Sequence, residues 1–445
     1  MSYSKFRLKE SGNIFYYQNT LNAIYNDKGE CLSLEPQEGW EFFEEANSKN
    51  NFGVTHKTNK PAALRILFGH ACNYSCGYCL QKDLGNPDER PQNIWLDTFI
   101  SSLNSNLNLD DLERIELWGG EPFLYWNDIK PVMEYLDDPK RHFFISTNGS
   151  PLRQKHVDFF KTLKAQVCIG ISHDGPSQEE LRGEDIFNKE KVVESIRELA
   201  KCSNISFSFN TVITPSNLDM FKTNDYFKDV TERLGIKNAL ISYNPAKIYD
   251  PTDSVNSANH IIKGESLEVL KKNFNYYLKI YRDQLKYGGN RLLPTTIVYQ
   301  DTGMLGYAKT VKHQIPITYH SNCGVESADI LSIDIKGNIR LCPHTSDKYN
   351  AGHINELDKV RIIGLDLDRK DNHCTHCPVK RLCKSSCPIK FPSEVFLHNC
   401  RVEKIWHSAI QQNGFALLFG EEVELLETGI DEDRYKEDTR TSVTA

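Results

Sequence analysis

The chain has 445 residues, of which 39% are hydrophobic and 25% charged, and a formal net charge of −7. This composition is typical of globular proteins, and the mildly acidic balance argues against a general attraction to nucleic acid or to anionic membranes. No apolar run reaches the roughly 20 residues of a transmembrane helix, and the first residues lack the apolar stretch of a secretory signal. We therefore expect a cytoplasmic protein of roughly two to four domains that binds neither nucleic acid nor a membrane.

Residues 1–60 predict a small extension. The stretch NIFYYQNTLNAIY, a turn at residues 26–29 and the stretch ECLSL form a predicted hairpin. A short helix, EGWEFFEEANS, and a polar linker, NSKNNFGVTHKTNKP, follow. The extension could offer a strand edge to a peptide, or it could only cap the next domain.

From residue 61 to residue 245, short apolar runs alternate with helical patterns. This alternation predicts an α/β fold with parallel strands, either a partial (β/α)6 barrel or an open doubly wound sheet. The predicted strands are Leu64–Phe68, Ile115–Trp118, His142–Ser146, Val167–Ser172, Ile205–Val212 and Ala239–Tyr243. The predicted helices are Leu96–Leu107, Tyr125–Leu136, Leu152–Leu163, Lys189–Leu199 and Leu218–Leu234.

Polar residues and glycines follow these strands. A loop with three cysteines comes after the first strand, and Gly119-Gly120-Glu121 comes after the second. The third strand ends near Ser146 and Asn148, and the fourth near Ser172 and Asp174. Because the carboxyl ends of parallel strands form the active edge of such folds, we expect the site there.

The remaining chain divides into three predicted parts. Residues 246–320 form a bridging region with one helix at Leu267–Gln284. Residues 321–402 are rich in Cys, His, Pro and Lys and poor in regular patterns, so metals would have to replace an apolar core. Residues 403–445 contain most of a helix, VEKIWHSAIQQNGFALLFG, and a polar tail from about Glu427 that we expect to be disordered.

The thirteen cysteines are the most informative residues of the chain. Cytosolic thiols stay reduced, so clustered cysteines indicate metal or iron–sulfur ligation instead of disulfides. Cys31, Cys168 and Cys202 are isolated, and Cys168 lies within a strand pattern that favours a place in the core. The clustered cysteines are Cys72, Cys76 and Cys79, and then Cys323, Cys342, Cys374, Cys377, Cys383, Cys387 and Cys400.

The first cluster reads Cys72-Asn-Tyr-Ser-Cys76-Gly-Tyr-Cys79. Three thiolates on so short a loop can hold a [4Fe–4S] cluster and leave one iron without a protein ligand. Zinc completed by a distant histidine such as His70, or plain reduced thiols, are the alternatives.

This CxxxCxxC pattern, with an aromatic residue before the last cysteine, resembles the radical S-adenosylmethionine (SAM) superfamily. The resemblance implies that the open iron binds SAM and that an electron from the cluster cleaves it to a 5′-deoxyadenosyl radical. It further implies that Gly119, Gly120 and Glu121 meet the SAM ammonium and that Tyr78 lies beside the adenine. The weaker matches, to residues near the SAM ribose, the SAM carboxylate or the substrate, are Ser146, Asn148, Ser172, Asp174 and Arg182.

The second cluster could be a zinc ribbon by spacing alone, but seven cysteines are too many for one zinc. The spacing resembles the SPASM domain, a carboxyl-terminal extension of radical SAM enzymes with two auxiliary [4Fe–4S] clusters. The resemblance assigns Cys323, Cys342 and Cys387 to one cluster. Its fourth position is left open: an open iron, direct binding of the substrate and a ligand other than cysteine, such as His320, are the alternatives. The resemblance assigns Cys374, Cys377, Cys383 and Cys400 to the other cluster. We expect His344, His376 and His398 to lie near the clusters without ligating them.

Relatives with such SPASM regions mostly modify peptides. We therefore predict an enzyme that forms thioether or carbon–carbon crosslinks in a short ribosomal precursor peptide and takes electrons from a flavodoxin or ferredoxin. The alternatives are a formylglycine generator that matures sulfatases, a small-molecule dehydrogenase, and a zinc or electron-transfer protein without SAM chemistry. No catalytic acid, base or hydrogen donor is assigned, and Asp174, Glu116, Tyr243 and Cys168 remain unranked candidates.

Overall fold

The protein is described from a computed structural model. The described residues are 3–19, 22–32, 55–81, 84, 95–247, 260–285, 292–299, 302–313, 323–345, 347–362, 374, 377–384, 386–387 and 393–427. The strands are β1 (Tyr3–Leu8), β2 (Ile14–Gln18), β3 (Ala23–Asn26), β4 (Thr55–His56), β5 (Ala63–Leu67), β6 (Arg114–Trp118), β7 (His142–Thr147), β8 (Gln166–Ser172), β9 (Ile205–Ile213), β10 (Leu240–Pro245), β11 (Ile330–Asp334), β12 (Asn338–Arg340), β13 (Asn350–His353), β14 (Arg361–Ile362) and β15 (Val423–Glu427). The α-helices are α1 (Leu96–Asn106), α2 (Trp126–Tyr135), α3 (Gln154–Phe160), α4 (Gln178–Arg182), α5 (Glu190–Leu199), α6 (Met220–Leu234), α7 (Glu265–Leu285), α8 (Thr295–Val298), α9 (Met304–Lys312), α10 (Lys380–Cys383) and α11 (Ser393–Phe419).

The central sheet has nine strands in the order β10-β9-β8-β7-β6-β5-β11-β12-β13. Strands β5 to β10 are parallel and adjacent in chain order, as the alternating pattern predicts. Each predicted strand agrees with the structure to within two residues. The α/β fold with a mostly parallel sheet is thus confirmed.

Alternate residues of the barrel strands face opposite sides of the sheet. In β8, Val167, Ile169 and Ile171 are buried, whereas Cys168 and Ser172 are partly exposed. The buried set packs beneath the crossover helices, as a period of two requires. We call the opposite side, which carries Cys168 and Ser172, the inner face of the barrel.

The region predicted as a separate carboxyl-terminal domain begins within this sheet. Strand β11 pairs in parallel with β5, and Ser332 lies opposite Arg65. Strands β12 and β13 then continue the sheet in antiparallel fashion. The predicted domain limits remain predictions, but the chain after Cys323 is built directly onto the barrel.

The amino-terminal strands form a second sheet, in the order β15-β1-β2-β3. As far as the described residues extend, the predicted turn at residues 26–29 is followed by a bridge between Tyr25 and Cys31, and another hairpin joins β2 to β3 earlier in the chain. The predicted helix at residues 38–48 lies outside the described residues. The predicted linker is only partly a linker, because Thr55–His56 forms β4 and the buried ammonium of Lys57 donates to three carbonyl oxygens at 2.5–2.8 Å.

The second sheet packs against helix α11. The rings of Phe6 and Phe15 pack edge-on against Phe415 of α11, at 4.9 and 5.2 Å between centroids. The helix begins at Ser393, well before the predicted start, and therefore includes Cys400. Helices α8 and α9 were not predicted, whereas α7 agrees with its prediction to within two residues. Within the described residues, no helix combines the length and apolarity that a membrane crossing requires.

Candidate functional site

The loop after β5 places three cysteines at the carboxyl edge of the barrel. Cys72, Cys76 and Cys79 are all partly buried. The backbone amides of Tyr74 and Gln81 donate to Sγ of Cys72 and Sγ of Cys79, each at 3.4 Å. Amide-to-sulfur hydrogen bonds stabilise thiolates, which are the ligand form of cysteine.

The charges around these thiols favour a bound cation. Burial raises the pKa of Cys72 to about 11, and the nearby Glu121, Cys79 and Cys76 raise it further. Burial also raises the pKa of Cys76. Three thiolates this close need positive charge between them to remain ionised, and iron supplies it. The donor set of this loop therefore fits an iron–sulfur cluster.

The glycine pair after β6 lies directly against the cysteine loop. The amide of Gly120 donates to the carbonyl of Gly69 at 3.0 Å, and that of Glu121 donates to the carbonyl of Ala71 at 2.9 Å. A Cβ atom on Gly120 would lie 2.2 Å from the carbonyl oxygen of His70. Only glycine allows this approach of two backbones.

Glu121 is fully buried and joins the loops after β6 and β7. Its carboxylate accepts hydrogen bonds from Thr147 Oγ1 at 2.6 Å, the amide of Asn148 at 2.7 Å and the amide of Phe123 at 3.0 Å. Burial raises the pKa of Glu121 to about 7, although these hydrogen bonds oppose the shift. The contact of Glu121 with the SAM ammonium remains a prediction.

Asn148 reaches the cysteine loop through a residue that the sequence analysis did not select. Its side-chain amide donates to Asn73 Oδ1 at 3.0 Å and lies 3.9 Å from Cys72 Sγ. Asn73 in turn donates to Ser150 Oγ at 2.7 Å. The position of Asn73 directly after the first cysteine was the available sequence clue.

Tyr78, Asp174 and Arg182 form a second polar group, in which Asp174 is fully buried. Asp174 accepts from the hydroxyl of Tyr78, from Arg182 Nε at 2.8 Å and from the amide of Val212 at 2.9 Å. The guanidinium of Arg182 lies 5.3 Å from the centroid of the Tyr78 ring. The structure thus brings these three predicted residues together. Arg182 already has a carboxylate partner, and its contact with SAM remains a prediction.

The predicted Ser146 and Ser172 lie near the ends of β7 and β8. Ser146 is in register with Gly170, and Ser172 with Asn210 of β9. A Cβ atom on Gly170 would lie 2.7 Å from the side chain of Asn210, so the inner face is tightly built there.

The unranked candidates occupy different environments. Tyr243 lies on the outer face, where its hydroxyl bonds to the carbonyl of Met220 in α6, so it does not face the barrel interior. Cys168 is partly exposed on the inner face, 4.0 Å from Ser208 Oγ, and is therefore not the core residue that its strand pattern predicts. Asp174 belongs to the group with Tyr78 and Arg182.

Glu116, the fourth candidate, forms ion pairs with two arginines on the barrel strands. It accepts from Arg65 Nε at 3.2 Å, Arg114 Nε at 2.8 Å and Trp118 Nε1 at 3.1 Å. Burial opposes its ionisation, but Arg65 and Arg114 hold the pKa of Glu116 below its usual range. Arg65 is a charged residue in an apolar strand, ALRIL, and that interruption was the clue to an inner-face role.

Four cysteines of the carboxyl-terminal region line one pocket. They are Cys374, Cys377, Cys383 and Cys400, and the pocket has an empty volume of about 320 Å³. Burial raises the pKa of Cys377 to about 11 and that of Cys383 well above its usual value. Four thiols around one pocket, two of them on buried and two on partly buried residues, are the donor set of a four-cysteine cluster.

A separate group contains Cys323, Cys342 and Cys387. Burial raises the pKa of Cys342 to about 12, and the charges of Cys323 and Cys387 raise it further, so both of these cysteines lie within electrostatic range of Cys342. His344 lies two residues after Cys342, and its ring contacts Trp118 edge-on at 4.9 Å between centroids. His398 is buried on α11. His320 and His376 lie outside the described residues.

Glu403 completes the wall of the four-cysteine pocket. Its carboxylate, Cys383 Sγ and a ring nitrogen of His407 all lie within 4.8 Å of one another. Burial opposes ionisation of Glu403, but Lys247 and His407 hold its pKa well below the usual range. Glu403 was not among the predicted site residues.

Comparison with known proteins identifies the barrel. Residues 66–223 match the model of the Radical SAM superfamily. The barrel is a radical SAM domain. A domain of this superfamily implies a [4Fe–4S] cluster and SAM as cofactors.

Two curated proteins and one solved structure are similar to this chain. The uncharacterized protein MJ0907 of Methanocaldococcus jannaschii is 24% identical over 65% of the chain and 88% of its own length. The radical SAM cyclopropyl synthase TigE of Paramaledivibacter caminithermalis is 24% identical over 52% of the chain and 51% of TigE, so the match spans about half of TigE. Native anSMEcpe with bound AdoMet and Cp18Cys peptide superposes with a TM-score of 0.56 at 16% identity, over 80% of this chain and 99% of anSMEcpe. The TM-score shows a common fold, and at this identity the likeness shows the fold alone.

Proposed function

We propose that this chain is a radical SAM enzyme that modifies a peptide oxidatively, by forming a thioether or carbon–carbon crosslink in a ribosomally made precursor. The proposal includes a SPASM-like carboxyl-terminal part with two auxiliary [4Fe–4S] clusters. It further includes a flavodoxin or ferredoxin as the electron donor.

The observation that carries the proposal is the grouping of the cysteines. The four cysteines assigned to one auxiliary cluster line one pocket, and Cys323 and Cys387 both lie within electrostatic range of Cys342. A sulfur-rich region built onto the barrel sheet suits an enzyme that must remove electrons from its substrate. The peptide bound to anSMEcpe, a protein of similar fold, supports a peptide as the substrate.

The cofactors supply the hydrogen-abstracting radical, and the chain supplies position and shielding. The loop of Cys72, Cys76 and Cys79 would hold the cluster that binds SAM. The buried group of Tyr78 and Asp174 would place the nucleoside part of SAM above the inner face of the barrel. The partly exposed Cys168 and Ser172 would line the space where the substrate enters. A closed site protects a reactive radical from side reactions.

The balance of the reaction defines its product. The peptide loses one hydrogen atom to the radical and then one proton and one electron as the new bond closes, and the auxiliary clusters suit the role of electron acceptor. The product therefore weighs two hydrogens less than the substrate.

Anaerobic incubation with dithionite, SAM and synthetic peptides encoded near the gene, followed by mass spectrometry, tests the proposal. Loss of two hydrogens with a fragmentation gap between two linked residues supports crosslinking. Conversion of a Cys or Ser to formylglycine would instead favour a sulfatase-maturase activity, and deuterium uptake without mass loss would indicate epimerisation.

A further inference from the structure

A groove at the β15 edge of the second sheet lies between strand β15 and helix α7. Both elements rest on α11, which supplies the floor through Gln412 and Asn413. Asn413 donates to Asn275 Oδ1 of α7 at 2.8 Å, which fixes the two helices together. The groove has an empty volume of about 1100 Å³.

The β15 wall presents backbone groups to this groove. Strand β15 is the edge of its sheet, and no strand among the described residues pairs with its outer side. Arg7 pairs with Glu424, and Leu8 pairs with Val423. The Lys9 amide donates to the carbonyl of Glu422, so the alternation of antiparallel pairs turns the amides of Val423 and Leu425 outward. The Leu425 amide accordingly donates to Gln412 Oε1 on the floor, at 3.3 Å.

The walls of the groove carry an excess of positive charge. Lys9, Lys271 and Lys272 are exposed and have no ion-pair partner in the part of the chain that the structure describes. The acidic residues beside them are mostly neutralised. Glu422 pairs with Arg282 and with Lys279, the latter at 3.4 Å, and Glu424 pairs with Arg7 at 3.4 Å. Glu268 also lines the groove and lowers its net charge, but the net charge stays positive.

We propose that this groove binds an acidic, extended segment of the peptide substrate as an added strand beside β15. An edge strand offers backbone hydrogen bonds to a peptide, and a neighbouring helix selects its side chains. Here the lysines of α7 would select carboxylates, and the exposed ring of Tyr276 would cover the apolar side of the segment. The inference rests on the proposed function, because it assigns the segment to the substrate.

Fluorescence anisotropy of the whole protein tests this inference. The probe is a fluorescein-labelled twelve-residue peptide of alternating Glu and Thr, and the comparison peptide alternates Lys and Thr. The test variant is Lys271→Glu/Lys272→Glu. The matched control, Lys191→Glu/Lys201→Glu, reverses two exposed lysines at helix α5, away from the groove. SAM cleavage to 5′-deoxyadenosine without peptide is measured for each variant to show that the barrel is intact.

We expect the glutamate peptide to bind, and to bind about tenfold more weakly to the α7 variant than to the control, with affinity falling as salt rises. Equal binding of the lysine peptide, or equal affinity of both variants, would overturn the inference. A tenfold gain in a chain ended at Glu427 would also overturn it, because the groove would then belong to residues 428–445. Binding without any peptide modification would contradict the proposed function alone, whereas modification without groove binding would contradict only this inference.

Discussion

Lys247, just beyond the last barrel strand, forms a buried ion pair with Glu403 on helix α11. Glu403 also accepts from His407 Nε2 at 2.9 Å and from Ser386 Oγ at 3.0 Å. Because Glu403 lines the four-cysteine pocket, this pair joins the end of the barrel to the cysteine-rich region. The pair thereby fixes the position of that pocket relative to the inner face.

Breaking this pair should destabilise the protein strongly. We expect Lys247→Met and Glu403→Gln each to lower the free energy of unfolding by about 3–5 kcal/mol. Each change removes one charge of the pair and leaves the other charge buried without it. The double variant should cost less than the sum of the two. Anaerobic urea unfolding measures all three. Lys359→Met, which breaks an exposed ion pair with Glu356 at 2.7 Å, is the control and should change little; additive costs in the double variant would contradict the coupling.

The glycine contact of the first site gives a sharper test. Gly120→Ala places a Cβ atom 2.2 Å from the His70 carbonyl, so the cysteine loop must move. We expect bound iron to fall from about twelve to about eight per chain, because one [4Fe–4S] cluster is lost. Gly77→Ala is the control in the same loop, since nothing lies within 4 Å of its added Cβ atom. Equal iron loss in both variants would show that the backbone contact is not the cause.

His156 should make stability depend on pH. Burial lowers the pKa of His156 to about 4, and its ring packs against Trp126 at 4.4 Å between centroids. The unfolded chain therefore binds the proton first as the pH falls below about 6.5. We expect about 2 kcal/mol of stability to be lost between pH 7 and pH 5. Urea unfolding at both pH values measures the loss, and His156→Gln should show a smaller loss; an equal loss in that variant would assign the pH dependence to other groups.

The four-cysteine pocket predicts an independent loss of iron. Cys377→Ala should remove the ligand set of one auxiliary cluster and lower bound iron by about four per chain. Cleavage of SAM without peptide should continue, because the first cysteine loop is untouched. Cys31→Ala, at an exposed isolated cysteine, is the control. Full iron content in Cys377→Ala would argue against a cluster in this pocket.

Local pattern predicted the barrel well. The branched and aromatic runs marked β5 to β10 because such side chains fill both faces of a covered parallel strand. The same runs hid which residues face inward. Tyr243 was placed near the active edge, yet it follows Ile241 on the outer face of β10. Cys168 and Arg65 lie in apolar runs, yet both are on the inner face of the barrel. The face on which a residue lies depends on how its strand pairs with the neighbouring strands, and the run alone does not reveal it.

Contacts between distant residues were beyond the sequence analysis. Lys247 and Glu403 are 156 residues apart and carry no spacing pattern that could have paired them. The groups of carboxyl-terminal cysteines came from family resemblance, because their spacing alone also allowed a zinc ribbon. The link between Asn73 and Asn148 likewise depends on how two loops meet at the edge of the sheet.

The most direct test of the account is 5′-deoxyadenosine formation from SAM by the anaerobically reconstituted enzyme, measured in the wild type, in Cys76→Ala and in Cys202→Ala. We expect product from the wild type and from Cys202→Ala, and none from Cys76→Ala even though its carboxyl-terminal clusters still form. Undiminished product from Cys76→Ala would contradict the assignment of the first cysteine loop.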